Sequence, residues 1–475
     1  MNLYELFSAR GWLCAAIADV SDFIWTYLLI AALICCGLYF TFRTRFVQFR
    51  MVGEMFRLLG RSGSRHDGRH HVSSFQAFAM SLGSAVGTGN LAGVATAITI
   101  GGPGAIFWMW IIALIGSATA FVESSLAQLF KRRSPDGFIG GPAYYILHGL
   151  RSRRMSALFA VLITITFGLS YNSIQSNTIC NAMNEAFGMS NTLVGALLAV
   201  LATIIAFGGI KRVARVCSLM VPFMAIGYLL ITVLVLALNY HRIPAMFALI
   251  VENAFGFEQA SGGALGMAVL AGVKRGLFSN EAGEGSAPNV AATASVSHPV
   301  KQGLIQSLAV FTDTLVVCTC TAFIILLSGL YDTTSLNGIA LTQSALNHHI
   351  GSAGTFVIAV AIFFFAFSSI IANYYYGESN MRFLTARRWP LNVFRVLSAA
   401  VMVMFGAVAS LDIVWNIGDV CMALLTICNL VALGGLCRYS FAMLADYRRQ
   451  RCEGVAEPVF RGDTFPELKE IIVWK

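Results

Sequence analysis

Charge is scarce in this sequence. Asp, Glu, Lys and Arg make up 12% of its 475 residues, about half the share of an ordinary globular domain. Long polar loops are scarce too, which leaves little from which to build a large water-soluble domain. The usual signatures of enzymatic chemistry are missing. There is no G-x-x-x-x-G-K-[ST] phosphate loop, no H-E-x-x-H zinc helix and no G-x-S-x-G nucleophile elbow, so neither an enzyme nor an ATP-driven pump is expected. The run from Gly87 to Gly93 misses the dinucleotide-binding spacing by one residue and follows no strand. The eleven cysteines lack metal-ligand spacing. Cys35-Cys36 and Cys318-x-Cys320 sit inside apolar runs, where buried free thiols are expected.

What fills the chain is apolar: 57% of residues are hydrophobic and the mean hydropathy is +0.73. A membrane-spanning helix needs about 20 largely apolar residues. About eleven such stretches are present, in 23–41, 74–99, 104–130, 156–182, 192–209, 216–238, 263–297, 302–328, 353–375, 390–410 and 413–436. Asp19 and Asp22, rather than a basic segment, precede the first stretch, and Arg43 and Arg45 follow it, so it is expected to be a retained helix and not a cleaved signal.

The formal net charge of +9 would suggest nucleic acid if the basic residues were clustered on one domain. They lie instead in alternate loops: seven in 42–72, six in 131–154, then Lys211, Arg212 and Arg215, Lys301, four in 382–395, and seven in 438–475, which is 28 of 32. This is the positive-inside pattern. It predicts a multi-pass protein of the plasma (bacterial inner) membrane, with the amino terminus outside, the carboxyl terminus cytoplasmic, and the lipid bilayer rather than nucleic acid as its surroundings.

Two of the stretches are interrupted. Ser84-Ala85-Val86-Gly87-Thr88-Gly89-Asn90 breaks the second, and Phe278 to Pro288 breaks the seventh, each placing glycines, hydroxyls and amides near mid-membrane depth. Non-helical backbone is tolerated there only where it is buried in protein or lines a cavity. The breaks lie five spans apart and so are expected to run in opposite directions, the mark of a 5+5 inverted repeat that builds its site from the two broken helices. The expected organisation is an all-α membrane protein with an extra N-terminal helix and basic loop (1–72), a first five-helix repeat and outer loop (73–260), a second repeat (261–437) and a cytoplasmic tail (438–475). The segment 240–258 has the makings of an interfacial helix.

Half-helix N-termini offer unpaired N–H groups to a substrate carboxylate, and freed carbonyls at C-terminal ends suit a sodium ion. Thr88 and Gly89 are therefore candidates for the carboxylate, while Asn90, Ser279, Ser368 and Ser369 offer neutral oxygens to a cation. Glu281 and Glu284 are candidates for the substrate or a proton, because an intramembrane carboxylate costs about 2.5–3.5 kcal/mol and must face a cavity or a partner. Lys274 and Arg275 are the nearest cations to pair with them. Glu123, Asp313 and Asp419 are further buried acids, expected to hold helices together. Gln175 and Asn177 are amides that glue helices or touch a ligand. His70-His71 and His348-His349 are expected in loops.

Several longer motifs occur together and in order: Gly87-Thr88-Gly89-Asn90, Gly101-Gly102-Pro103-Gly104-Ala105-Ile106-Phe107-Trp108-Met109-Trp110 closing with Gly116, Gly140-Gly141-Pro142-Ala143-Tyr144-Tyr145, Lys274 to Gly283, and His298-Pro299-Val300-Lys301-Gln302-Gly303. From about Phe42 to the last span the chain resembles the alanine or glycine:cation (sodium:alanine) symporter family. That resemblance implies a LeuT-like fold and import of a small neutral amino acid coupled to sodium by alternating access. No cofactor is implied beyond the ion. Proton coupling, or less readily a channel, is the alternative. The two breaks further resemble the broken first and sixth helices of sodium-coupled neurotransmitter-type carriers. The likeness implies one sodium site at the Gly83 and Val86 carbonyls with Ser368 and Ser369, and a second at Ala85, Asn90 and Ser279. It puts Thr88 and Gly89 at the substrate carboxylate, Phe278 and Glu281 near its ammonium, and Gly283 of the second break among the substrate-binding residues. Two departures matter. The outer-gate arginine of those carriers would fall at Gly93. Glu284, near the substrate side chain, stands where many alanine-type members have an apolar residue or Gln, which leaves room for glutamine as well as alanine or glycine.

Overall fold

Inside a bilayer every backbone polar group must find a partner within the protein, and this chain meets that demand almost wholly with helix. The structure is a computed structural model that describes residues 12–62, 72–135, 137–255, 262–408, 411–468 and 470–474. In chain order its helices are α1 (Ala16–Arg43), α2 (Val52–Ser62), α3 (Ser74–Ala85), α4 (Gly89–Gly101), α5 (Gly104–Leu129), α6 (Pro142–Gly149), α7 (Arg153–Phe187), α8 (Asn191–Ala206), α9 (Gly209–Leu238), α10 (Ile243–Phe255), α11 (Gly262–Asn280), α12 (Ala287–Ala291), α13 (Pro299–Ser328), α14 (Gly338–Ile350), α15 (Ala353–Leu384), α16 (Arg388–Val408) and α17 (Leu411–Cys452). A small antiparallel hairpin, β1 (Arg132–Ser134) with β2 (Gly137–Ile139), pairs Arg132 with Ile139.

Among the described residues, eight helices are long and apolar enough to cross a membrane: α1, α5, α7, α9, α13, α15, and the parts Arg388–Gly406 of α16 and Trp415–Cys452 of α17. Their burial separates them. The apolar window is 72% buried in α13 and 67% in α5 and α7, against 28% in α1 and α9 and 22% in α16, so the first three are central and the last three face outward. On α9, Leu219, Phe223, Ile226 and Leu230 are all exposed. This spacing puts them on one helical face, and a ridge of that size is stable against lipid rather than water.

The two interrupted stretches are broken where the sequence places them. Helix α3 opens with a capping box in which Gln76 N–H donates to Ser73 Oγ and Ser73 N–H to Gln76 Oε1. It stops at Ala85, and α4 follows after Val86–Thr88. Helix α11 stops at Asn280, and only the single turn of α12 continues it, so the span expected over 263–297 is helical for a shorter length than its hydropathy suggests. The broken helices are antiparallel. Val72, just before α3, pairs with Ala294, just after α12, through the Ser295 N–H to Val72 O bond of 3.1 Å. At the other end, Gly101 closes α4 so near α11 that a Cβ on it would stand 3.0 Å from Ala268 Cα.

Outside the spans, the segment expected to form an interfacial helix is helical over Ile243–Phe255, as α10. His348 and His349 lie in the last turn of α14 and not in a loop, with His349 Nε2 3.0 Å from the Ile324 carbonyl; His70-His71 lies outside the described residues. The tail folds back onto the helix ends. Phe460 N–H donates to Ser297 O at 2.9 Å, and the Trp474 indole to Gln128 O at 2.9 Å.

Helices α5 and α13 meet closely at Gly303, where a Cβ would lie 2.2 Å from Ser125 Oγ and 2.9 Å from Phe121 O. Gly303→Leu is expected to destabilise the protein by about 1–3 kcal/mol or more through overpacking. Gly266→Leu, on the exposed face of α11 with nothing within 4 Å, leaves the thermal midpoint unchanged. Melting of the two purified variants in detergent checks this.

Candidate functional site

Breaking α3 frees the carbonyls that its last turn would have used. Gly87 N–H donates to Asn90 Oδ1 at 2.9 Å instead of to Gly83 O, and Asn90 N–H donates to Gly87 O at 3.2 Å instead of to Val86 O. Two hydroxyls from α15 fill the vacated positions. Ser368 Oγ and Ser369 Oγ each reach Gly83 O at 3.0 Å, Ser369 Oγ reaches Val86 O at 3.4 Å, and both donate to Phe365 O at 2.8 and 3.2 Å. Five neutral oxygens thus converge between α3 and α15, all of the hard type that an alkali cation accepts. Glycine is required at position 87, because a Cβ there would stand 2.3 Å from Ser369 Oγ and 2.8 Å from Gln175 Oε1.

A second cluster lies on the α4 side of the break around Asp313. Its carboxylate accepts from Asn90 Nδ2 at 2.7 Å, Ser279 Oγ at 2.7 Å and Thr314 Oγ1 at 2.9 Å, with Cys318 Sγ 3.0 Å from Ser279 Oγ. Asn90, Ser279, Asp313 and Thr314 are fully or almost fully buried. Of the residues expected here, Asn90 and Ser279 come together. Ala85 is buried at the end of α3, and among the described residues no side-chain hydrogen bond joins it to them. Asp313, read from sequence only as a helix-pairing acid, is the centre of the cluster.

Between the breaks, Thr88 N–H and Thr88 Oγ1 both donate to Gln175 Oε1, at 2.9 and 2.7 Å. One amide oxygen from α7 therefore occupies two donors that could serve a carboxylate. Gly89 touches the other break, with Phe278 Cδ1 3.0 Å from where its Cβ would be. The Phe278 ring lies between Tyr171 and Trp415, with centroids 4.8 and 4.7 Å away. Tyr171 Oη–H donates to Glu284 at 3.2 Å.

The second break is held by carboxylates. Glu281 takes the left-handed conformation at φ 56°, and its two oxygens accept from Ser84 at 2.8 Å and Ser286 at 2.5 Å, tying one break to the other. Gly283 is clamped on both sides: its N–H donates to Glu123 at 3.2 Å and its carbonyl accepts from Asn429 at 2.9 Å. Gly285, at φ 83°, makes the reverse bend that a side chain would strain. Lys274 and Arg275 do not pair with Glu281 or Glu284. They face away from the break, toward Asp419 on α17, with Arg275 bidentate at 3.0 and 2.9 Å and Lys274 at 2.9 Å. The Arg275 guanidinium also lies 4.3 Å from the centre of the Trp415 ring, and Trp415 in turn sits over Gly93.

Three of the residues that sequence reasoning underrated or could not orient, Asn90, Asp313 and Tyr171, lie in π-helical turns, Gly89–Gly93, Phe311–Cys318 and Thr166–Tyr171. Such turns shift a side chain around its helix and recur at functional sites. Intramembrane acidity was the only sequence signal for Asp313.

The model of the sodium:alanine symporter family matches residues 11–462. The chain is 51% identical over 455 residues to the probable sodium/glutamine symporter GlnT of Bacillus subtilis (strain 168), covering 96% of this chain and 94% of that one. It is 35% identical over 424 residues to the sodium/alanine symporter AgcS of Methanococcus maripaludis, covering 87% and 92%. Among solved structures, MhsT in complex with L-phenylalanine is similar in fold, with a TM-score of 0.55 at 13% identity over 80% of this chain and 90% of that one; its fold is the LeuT-like one. The chain belongs to the sodium:alanine symporter family.

Proposed function

We propose that the protein imports a neutral amino acid together with sodium, binding both at the two broken helices and exposing them to each side of the membrane in turn. The observation that carries this reading is the convergence, on one break, of freed carbonyls facing α15 and freed donors facing α7. In the bound state, one oxygen of the substrate carboxylate takes the Thr88 N–H and hydroxyl from Gln175, with Gly89 beside it. One sodium ion sits among Gly83, Val86, Phe365, Ser368 and Ser369. A second cation lies at Asn90, Ser279 and Asp313, next to Ala85. A proton on Asp313 is the alternative there, because that cluster carries its own carboxylate.

Phe278, with Tyr171 and Trp415, encloses the substrate's body, and Glu284 with the Tyr171 hydroxyl lies toward its side chain. Glu281 and Gly283 keep the second break open through Ser84, Ser286, Glu123 and Asn429. The Arg275–Asp419 pair over Trp415 closes the outer side in place of an arginine at 93. Glu284 favours glutamine over alanine or glycine, in keeping with the name of the 51% identical relative. The basic loops put the amino terminus outside and the carboxyl terminus in the cytoplasm, and 73–260 and 261–437 are the two inverted repeats. One sodium ion entering yields about 2.3 kcal/mol per 100 mV. At about 1.4 kcal/mol per tenfold, that supports a gradient on the order of 50-fold.

Uptake of labelled glutamine, alanine and glycine into proteoliposomes, with sodium, proton and potassium gradients imposed one at a time, tests the reading. Accumulation driven by sodium is expected, with glutamine preferred, and Glu284→Leu shifts the preference toward alanine. Flux that neither saturates nor follows any ion gradient would indicate a pore.

The two ion positions separate by mutation. Ser368→Ala is expected to raise the sodium concentration for half-maximal uptake about tenfold at unchanged pH dependence. Asp313→Asn reduces uptake and also removes any response to a proton gradient. Unchanged sodium dependence in Ser368→Ala removes that residue from the site.

A further inference from the structure

The apolar surface of α1 ends at Phe42, and the chain then turns sharply. Thr44 closes the helix by donating from Oγ1 to Phe40 O at 2.7 Å. Arg45 and Phe46 both take left-handed backbone conformations, with φ of 55° and 57°, which is uncommon for two successive residues with side chains. The turn lays the short helix Val47–Arg50 against α5 and α13, and a cleft of about 150 Å³ lies between it and α17, lined by Thr44, Arg45, Val47, Arg50, Met51, Leu444 and Arg448. Three arginines thus line the cleft, Arg45 and Arg50 on one wall and Arg448 on the other, together with the apolar Val47, Met51 and Leu444.

None of the three is paired with a carboxylate among the described residues. The nearby acid, Glu54, is occupied by Arg57, Tyr447 and Arg451. Beside the cleft, Phe42, Phe46 and Phe49 are exposed, with ring centroids 5.4 Å apart for Phe42 and Phe46 and 6.5 Å for Phe46 and Phe49. An exposed apolar ridge of this kind is stable against acyl chains rather than water, while the adjoining arginines suit head groups. On α17 the same boundary appears as Leu444 giving way to Arg448. A soluble anion would have no use for the exposed phenylalanines, whereas a lipid uses both halves.

We propose that this cleft binds the phosphate of an anionic phospholipid, with Arg45, Arg50 and Arg448 on the phosphate and the acyl chains along Phe42, Phe46 and Phe49. In the orientation argued above the lipid belongs to the cytoplasmic leaflet, where anionic head groups gather at basic pockets between helices.

The test is native mass spectrometry of the purified full-length chain titrated with phosphatidylglycerol or phosphatidylcholine. The expected result is a retained phosphatidylglycerol adduct whose apparent affinity falls about tenfold or more in the triple variant Arg45→Gln, Arg50→Gln, Arg448→Gln. The exposed pair Arg153→Gln, Arg154→Gln keeps the adduct. Elution and thermal midpoint of the triple variant, measured in phosphatidylcholine alone, are expected to match the unmodified chain, since the replaced side chains make no ion pair. Equal retention by the triple variant, or equal retention of phosphatidylcholine, overturns the proposal. Displacement of the lipid by inorganic phosphate at the same concentration overturns it in favour of a soluble phosphate.

Discussion

A carbonyl that loses its helical donor inside a bilayer must find another partner, because no bulk water is there to supply one. The break at Val86–Gly87 creates that need at Gly83 and Val86, and the surrounding structure is arranged to meet it. Ser368 and Ser369 supply hydroxyls from α15, Asn90 takes the Gly87 N–H, and Gln175 takes the donors of Thr88. Each of these partners is exchangeable. A hydroxyl that donates to a carbonyl can turn its lone pair to a cation beside that carbonyl, and a carboxylate can replace an amide oxygen. The same unsatisfied backbone that makes the break costly is what the proposed binding uses.

The second break is built differently, and the difference bears on coupling. Its backbone is held by acids that already have partners: Glu281 by two serines, and Glu123 by Gly283 and Asn429. It therefore acts as a fixed wall that carries Phe278 and Ser279 toward the first break, and the Ser84–Glu281 bond makes the two breaks one unit. In the proposed arrangement ions and amino acid share walls, so that occupying one position organises the others. The Asp313 cluster brings its own negative charge to this shared region, which separates its chemistry from the wholly neutral oxygens near α15.

Much of this was legible in the sequence, for identifiable reasons. Hydropathy finds spans because lipid imposes a length, and glycines with polar residues in an apolar run mark the breaks because little else is tolerated there. Ser368 and Ser369 stood out as neutral oxygens for a cation inside an apolar run. What the sequence could not show were the partners. Lys274 and Arg275 are close in sequence to Glu281, yet helical geometry turns them outward to Asp419, 144 residues from Arg275. Asp313 looked like one of several buried acids because the π-helical turn that aims it at Asn90 and Ser279 leaves no mark on composition. The Phe365 carbonyl was invisible for a simpler reason, since any residue at that position offers the same oxygen. His348 and His349 read as a polar loop because a helix end and a loop have the same composition.

The central claim is that sodium and the amino acid bind to one shared pair of broken helices and strengthen each other there. Equilibrium binding of the labelled amino acid to the purified protein over a sodium series, paired with sodium binding over an amino-acid series, tests it without any gradient. The account predicts that each ligand tightens the other by the same factor, as linkage requires of coupled sites, and that the factor shrinks in Ser368→Ala. Amino-acid affinity that stays constant from zero to saturating sodium would contradict it.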